Sequence, residues 1–331
     1  MLSRTANDLY WMARHIERAE NTARMLDITY RMSLLPYHSA EQTQSAGQSS
    51  SQTFAQSSAQ SWEIPLITTG VATPYYQHHQ TLSEASVLGF MVFDRTNPSS
   101  IVSCVHAARE SARAVRGAIT SEMYEDLNAT WLEIKSKNIR QILAGGVSEF
   151  FDWVKTRSHL FRGVTFGTML RDEGYHFIRL GGFMERADNT ARIVDVKYHT
   201  LLPGLQGVGG AVDYYQWSAV LKSVSGFDSY RRIYRDVITP VRVAELLILR
   251  DDMPRSLHAC MNEIYEILMR ISDESSQEPE RLAGELHAQL HYGRTEQIFA
   301  NGLHEYLMAF LDKIKTLGQE INDHFLVTLQ R

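Results

Sequence analysis

Apolar residues recur at helical spacing along most of the chain. Residues 97–119, "NPSSIVSCVHAARESARAVRGAI", carry an Asn-Pro pair followed by apolar or small side chains three or four positions apart, the pattern of an amphipathic helix with proline in its first turn. Residues 251–271, "DDMPRSLHACMNEIYEILMRI", repeat this plan. The segment "VLGFMVF", residues 87–93, is the best strand candidate, and a helix fits it equally well. The pattern predicts an all-α protein.

Two segments break the helical pattern. Residues 39–60, "SAEQTQSAGQSSSQTFAQSSAQ", consist almost wholly of Ser, Gln, Ala and Thr. Such a segment buries too little apolar surface to offset the entropy of ordering it, so we predict a mobile loop there. The shorter stretch "GLQGVGGA", residues 204–211, is rich in glycine but lacks the Lys-Ser or Lys-Thr pair of a phosphate-binding loop. Nucleotide binding is therefore not predicted at that stretch.

One octapeptide occurs twice. "ERAENTAR", residues 17–24, returns as "ERADNTAR", residues 185–192, at an offset of 168. Further landmarks recur in the same order at an offset of 156, namely Pro98 and Pro254, Cys104 and Cys260, Gly146 and Gly302, Glu149 and Glu305. The offset falls because the first copy carries the longer polar loop. We predict a tandem duplication, with halves at 1–160 and 161–331 packed about a pseudo-two-fold axis in one compact helical bundle.

The polar face of each octapeptide is the main candidate for function. The two copies keep carboxylate, Asn and Arg side chains at matching positions while the surrounding sequence has diverged. We therefore predict that the two faces meet or line a shared cavity, where buried charges must be paired. Two interpretations stay open, a structural network and a functional site. In the functional interpretation Glu17 and Glu185 are the candidate catalytic groups, and the candidate substrate-binding residues on these faces are Arg18, Glu20, Asn21, Arg24, Arg186, Asp188, Asn189 and Arg192.

Three motifs carry a resemblance to a known family. They are "YWMARHIERAENTARMLD", "RTNPSSIVSCVHAARESARAVRGAITSEMYEDLN" and "TMLRDEGYHFIRLGGFMERADNTARIVDVKY". In this order they resemble the alpha-E family of bacterial helical proteins over nearly the whole chain, the Ser/Gln-rich insert being the main departure. The resemblance implies a cytosolic bacterial helical protein whose genes typically accompany those of a circularly permuted ATP-grasp protein and often of a transglutaminase-like protease. The partner that this implies is an ATP-grasp-type ligase, with a transglutaminase-like protein as a second one. Since ATP-grasp enzymes join a carboxylate to an amine, the resemblance also implies a role in peptide or amide-bond metabolism.

A row of arginines follows Pro98. Arg109, Arg113 and Arg116 are spaced i, i+4 and i+7 on the predicted helix. Arg109 and Arg113 are further candidates for binding a carboxylate or phosphate through forked hydrogen bonds. The alternative, which we favour, is that acidic neighbours or the octapeptide glutamates neutralise the row within the fold.

Metal and nucleophilic chemistry find little support in the sequence. Glu173 and His176 have the spacing of half a di-metal carboxylate site, but the first copy has Thr5 and Asp8 at the matching positions. We therefore predict no metal and no cofactor. No Gly-x-Ser-x-Gly or His-Glu-x-x-His motif occurs. The two cysteines lie at apolar helical positions and are predicted to be small core residues.

Composition narrows the classes of function. The chain has 331 residues, a formal net charge of −5 and two cysteines. The negative charge argues against nucleic-acid binding, and no apolar run approaches the roughly 20 residues of a membrane span. The N-terminal residues lack the pattern of a secretory signal, and so few cysteines fit a reducing compartment, so we expect a cytoplasmic protein.

Three hypotheses remain open at this stage. The first is a helical subunit that acts with an ATP-grasp-type amide ligase and presents or binds an anionic substrate. The second is a stand-alone enzyme that uses the paired glutamates for acid–base chemistry and arginines for anion binding. A carboxyl group whose pKa is raised by burial could serve in this role near neutral pH. The third is a structural scaffold without catalysis.

Overall fold

The computed structural model describes residues 1–34, 61–201, 211–272 and 277–326, with side chains omitted at 197–201 and 211–213. These residues form α-helices and short π-helical turns, with no strand in the described ranges. The prediction of an all-α protein is therefore confirmed, and "VLGFMVF" is helical. The predicted loop at 39–60 and residues 204–210 of the glycine-rich stretch lie outside the described residues.

The helices up to the second octapeptide alternate between long and short. Their bounds are α1 Ser3–Ser33, α2 Ile64–Thr68, α3 Ala72–His78, α4 Glu84–Leu88, α5 Ile101–Ala114, α6 Ser121–Ser136, α7 Ile139–Gly145, α8 Val147–Thr168 and α9 Glu173–Leu201. A π-helical turn, Gly89–Phe93, extends α4.

The helices after the second octapeptide complete the bundle. Their bounds are α10 Ala211–Ser223, α11 Phe227–Tyr234, α12 Pro240–Ala244, α13 Leu257–Ile271, α14 Gln277–His291, α15 Thr295–Asn301 and α16 Leu303–Ile321. π-helical turns extend α12 at Glu245–Leu249 and α16 at Asn322–Leu326. None of the helices in the described ranges combines the length and apolar character that a membrane span requires.

The two longest helices, α1 and α9, pack against each other at the centre of the bundle. Helices α5 and α8 pack on α1, while α13 and α16 pack on α9. The backbones of the central pair approach closely at Gly181, where an added Cβ atom would overlap the carbonyl oxygen of Tyr10. Only a glycine lets the two backbones come this close. This crossing brings the two octapeptides together.

The two parts of the chain share an order of elements. In each, a π-helical turn leads to a helix whose N-cap is a serine, Ser100 for α5 and Ser256 for α13. Each later has a short helix that ends at a glycine with positive φ, 103° at Gly146 and 89° at Gly302, followed by a long helix. This shared order favours the predicted duplication, which stays a prediction together with its axis. The predicted boundary at residue 160 falls inside α8, and the next loop is at 169–172.

Candidate functional site

The two octapeptides exchange ion pairs across the contact between α1 and α9. The guanidinium of Arg18 donates to both carboxylate oxygens of Glu185, at 2.6 and 2.9 Å. In return, Arg186 donates to both carboxylate oxygens of Glu17, at 2.9 and 3.0 Å. Each Glu-Arg dipeptide is therefore bound to the other through two forked, charge-assisted contacts, the strongest geometry for such pairs.

Both glutamates are buried and ionised. Glu17 is 2% exposed and Glu185 is 5% exposed. Burial by itself raises the pKa of Glu17, but the charges of Arg186 and Arg162 outweigh it and lower the pKa to about 2. For Glu185, burial is likewise outweighed by Arg18 and Arg14, and its pKa is also about 2. Each carboxylate is thus held in its charged form by its guanidinium partners.

The surroundings of the two glutamates differ. Glu185 receives its second guanidinium from Arg14 on α1, at 2.8 Å. Glu17 receives further guanidinium groups from Arg162 on α8, at 2.6 Å, and from Arg255 before α13, at 3.2 Å.

Glu20 joins the cluster around Glu17. Its carboxylate pairs with Arg162 at 2.6 Å and also with Arg255 and Arg24. Arg24 is 1% exposed and donates further to the carbonyl oxygen of Ser223. The guanidinium groups of Arg162, Arg186, Arg255 and Arg24 thus face two carboxylates among the described residues. The Glu17 cluster, as we call these six residues, therefore has an excess of positive charge at neutral pH, which suits an anion.

A cavity of about 200 Å³ lies beside the Glu17 cluster, between α1, α8 and α9. Its walls are mainly apolar, and its charged lining is Glu17, Arg162, Arg179 and Arg186. The apolar walls include Ile16, Phe161, Phe166, Ile178 and Phe183. Arg162 is accessible from outside, with 34% of its side chain exposed. The cavity therefore offers guanidinium groups next to aromatic rings, which suits a small ligand with one anionic and one apolar part.

Gly182 keeps this cavity open. It lines the cavity, and a Cβ atom added to it would meet nothing within 4 Å. At the offset of the two octapeptides, the residue of α1 that matches Gly182 is Arg14, which fills its position with a side chain bound to Glu185. This difference between the two matching positions, arginine on α1 and glycine on α9, helps to explain why the cavity lies beside Glu17.

The asparagine and aspartate side chains of the two octapeptides have different contacts. Asn21 donates to the carbonyl oxygen of Glu185 at 3.4 Å and accepts from Arg255 at 3.3 Å. The side-chain oxygen of Asn189 is buried without a hydrogen-bond partner in the described part of the chain. Asp188 pairs at 2.7 Å with Arg192 along its own helix. Of the candidate substrate-binding residues, those of the first octapeptide thus make more contacts with the Glu17 cluster than those of the second.

The arginine row lies on α5. Arg109 donates to the side-chain oxygen of Asn128 at 3.1 Å and pairs with Glu110. Arg113 is 67% exposed and lies 3.3 Å from Glu110. This is the arrangement expected if neighbouring residues neutralise the row.

Sequence reasoning missed several residues of the network. Arg162 and Arg255 lie outside both octapeptides, on other helices or loops of the chain, and Arg14 lies just before the first octapeptide. The sequence did contain one sign of Arg255. The residue after Pro98 is Ser99, whereas the residue after the matching Pro254 is Arg255, so the two parts of the chain differ in charge at this position.

The remaining candidates have ordinary surroundings. Glu173 is half exposed, and burial, together with Arg270 and Arg179, lowers the pKa of His176. Cys104 and Cys260 are fully buried, and burial raises the pKa of each thiol to about 12. The prediction that both are core residues is confirmed.

Comparisons with known proteins agree with this picture at the level of the family. A family model described as a predicted alpha-helical domain with a conserved ER motif matches residues 1–326. Uncharacterized proteins of Mycobacterium bovis and Mycobacterium tuberculosis are 24% identical to the chain over 337 residues, covering 98% of it. The chain spans 36% of the length of these relatives. No solved structure matches the chain at a significant level.

Proposed function

The chain belongs to the Alpha-E family of helical proteins, and from this premise we propose that it is a ligand-binding helical subunit of an ATP-grasp-type amide ligase. Its ligand is a small molecule with a carboxylate and an apolar part. The observation that carries the proposal is the cavity beside the Glu17 cluster, where Arg162 and Arg186 adjoin aromatic walls.

We assign the family's ER motif to Glu17–Arg18 and Glu185–Arg186. A third Glu-Arg dipeptide, Glu280–Arg281, lies on α14, where Arg281 is 53% exposed. The exchanged pairs of the first two hold α1 on α9 and keep Arg186 at the cavity. The shared order of elements supports a duplication in which both copies have the exchanged Glu-Arg pairs and only one has the ligand site.

The proposal also includes a partner protein, the ATP-grasp-type ligase. In the mycobacterial relatives the stretch that matches this chain makes up 36% of the polypeptide, so most of each relative lies outside that stretch. The attachment of the matching stretch to further sequence supports a role beside another protein. An ATP-grasp ligase activates a carboxylate as an acyl phosphate, so a subunit that binds carboxylates suits such an enzyme. A transglutaminase-like protein is a second proposed partner, and the cytoplasm is the proposed location.

The alternative of a stand-alone acid–base enzyme receives less support from the electrostatics. A general acid or base works best with a pKa near the working pH, whereas the pKa of Glu17 and of Glu185 is about 2. Both groups are better suited to ion pairing. The alternative of a scaffold without a ligand leaves the open position at Gly182 and the excess of guanidinium groups without a role.

The ligand site can be tested with a matched pair of small probes. We expect phenylacetate, which has an aromatic ring and a carboxylate, to bind at least about tenfold more tightly than its neutral analogue phenylacetamide, because charge-assisted hydrogen bonds to guanidinium groups are available only to the anion. Isothermal titration of the purified chain with each compound measures the difference.

Two variants locate the binding. Arg162→Gln is expected to remove most of the preference for the anion, and Gly182→Leu to weaken binding of both compounds by filling the cavity. Arg113→Gln, which alters a two-thirds exposed arginine of α5, serves as the control and should bind like the original chain. Equal binding of phenylacetate and phenylacetamide, or unchanged binding by Gly182→Leu, would contradict the proposal.

The partner can be tested separately. We expect a tagged copy of the chain, purified gently from its own cell, to bring an ATP-grasp-type protein with it in fixed stoichiometry, identified by mass spectrometry. Recovery of the chain alone, with or without added ATP and phenylacetate, would count against the ligase-subunit role. The ligand site is tested independently by the isothermal titration.

A further inference from the structure

Three histidines converge on a different part of the bundle from the Glu17 cluster. His258 lies at the start of α13, and His287 and His291 lie one turn apart on α14. Their ring centres are 6.0, 5.5 and 5.7 Å from one another, so the three imidazoles form a nearly equilateral triangle. One nitrogen from each ring lies within 4.8 Å of the others.

The hydrogen bond of His258 prepares its ring for ligation. The side chain is 5% exposed, and its Nδ1 lies 2.8 Å from the carbonyl oxygen of Leu249. Because a carbonyl oxygen only accepts, Nδ1–H donates to it, and the neutral tautomer that fits this contact has its lone pair on Nε2. That Nε2 is buried and has no hydrogen-bond partner among the described residues. A backbone carbonyl that fixes one nitrogen while the other is free is typical of histidines that ligate metals.

The position of Leu249 explains why its carbonyl is available. Leu249 is the last residue of the π-helical turn Glu245–Leu249, and carbonyl groups at the end of a helix lack partners within it. The turn therefore supplies the acceptor that orients His258.

His287 and His291 complete the triangle from one helix. Residues four apart share a face of an α-helix. The ring of Tyr265 stacks on His287 with centres 5.1 Å apart and so limits its movement. Both rings of α14 therefore lie beside His258, with the ring of His287 restricted by Tyr265.

We propose that His258, His287 and His291 bind a zinc ion, with a water molecule as the fourth ligand. Imidazole nitrogens suit Zn²⁺, and three histidines with an open fourth position are an established zinc ligand set. Tetrahedral ligation places the nitrogens about 3.3 Å apart, so binding would draw together three nitrogens that now lie within 4.8 Å of one another, with the exposed His291 the freest to move. Solvent reaches the site from the side of His291.

The site belongs to the second half of the chain. At the offset of 156, the residues matching the three histidines are Val102, Trp131 and Lys135. The sequence prediction of no metal site rested on Glu173 and His176, which lie on α9 and are not part of this triangle.

The test uses the full-length chain after treatment with a chelator, titrated first with Co²⁺ and then with Zn²⁺. We expect one Co²⁺ per chain with the visible absorption bands of four-coordinate cobalt, and displacement of these bands by Zn²⁺. His287→Ala and His291→Ala should each lower the affinity at least about tenfold. His78→Ala, which removes an exposed histidine of α3, is the matched control and should bind like the original chain.

Circular dichroism separates loss of ligation from loss of fold in each variant. Native helical content together with weakened binding in both His287→Ala and His291→Ala supports the site. Absence of stoichiometric binding by the folded original chain, or unchanged affinity in either folded variant, would overturn it. A folded His287→Gln chain, which keeps a polar side chain without the imidazole, must show the same loss if His287→Ala does not fold.

Discussion

Replacing Glu185 with glutamine is expected to lower the free energy of unfolding by about 3–5 kcal/mol, the usual cost of breaking a buried ion pair from one side. Glutamine keeps the shape of the side chain, but it leaves the guanidinium groups of Arg14 and Arg18 without the charge that compensates their burial. Glu17→Gln should have a similar effect, because Arg186 then loses its carboxylate. Urea denaturation monitored by circular dichroism measures both.

An exposed ion pair provides the control for these substitutions. Glu285 pairs with Arg281 on α14, and 62% of its side chain is exposed. Because such surface pairs contribute little, Glu285→Gln should change the free energy of unfolding by less than about 1 kcal/mol. A loss in Glu185→Gln no larger than in this control would mean that the exchanged pairs do not hold the central helices together.

Gly181→Ala is expected to destabilise the protein by about 3 kcal/mol, the upper end of the usual cost of overpacking. The new methyl group would overlap the carbonyl oxygen of Tyr10, so α1 and α9 must separate. Separation of these helices also lengthens the ion pairs of both octapeptides. The midpoint of urea unfolding is the direct measurement.

The neighbouring glycine is a matched control. Gly182→Ala adds the same methyl group to the same helix, but into open space, and should stabilise the protein by about 0.5–1 kcal/mol because alanine favours the helix. Equal stability of the Gly181→Ala and Gly182→Ala variants would contradict the close approach of α1 and α9 at Gly181.

The features that sequence reasoning predicted correctly are those set by local pattern. The helical spacing of apolar residues predicted the all-α class, and the matched positions of Cys104 and Cys260 predicted two core residues. The repeated octapeptide also indicated that its two polar faces belong together, because charges retained through divergence need buried partners. These signals are short-range or repeated, so no knowledge of the tertiary packing was required.

The missed features depend on long-range packing. Arg162 reaches Glu17 from a helix 145 residues away in the chain, and no repeat or motif marks it. The cavity results from a glycine on one helix and aromatic residues on another. His287 and His291 have a recognisable spacing, but His258 joins them only through the packing of α13 on α14. Such sites become visible when the crossing of the helices is known.

A double-mutant cycle between Arg18 and Glu185 tests the contact between the two octapeptides most directly. It adds Arg18→Gln and the double variant to the Glu185→Gln experiment. The exchanged pairing predicts a coupling of about 1–3 kcal/mol in the free energy of unfolding, so that the double variant is less destabilised than the sum of the single ones. Additive effects, within about 0.5 kcal/mol, would contradict the claim that the two Glu-Arg dipeptides bind each other and hold α1 on α9.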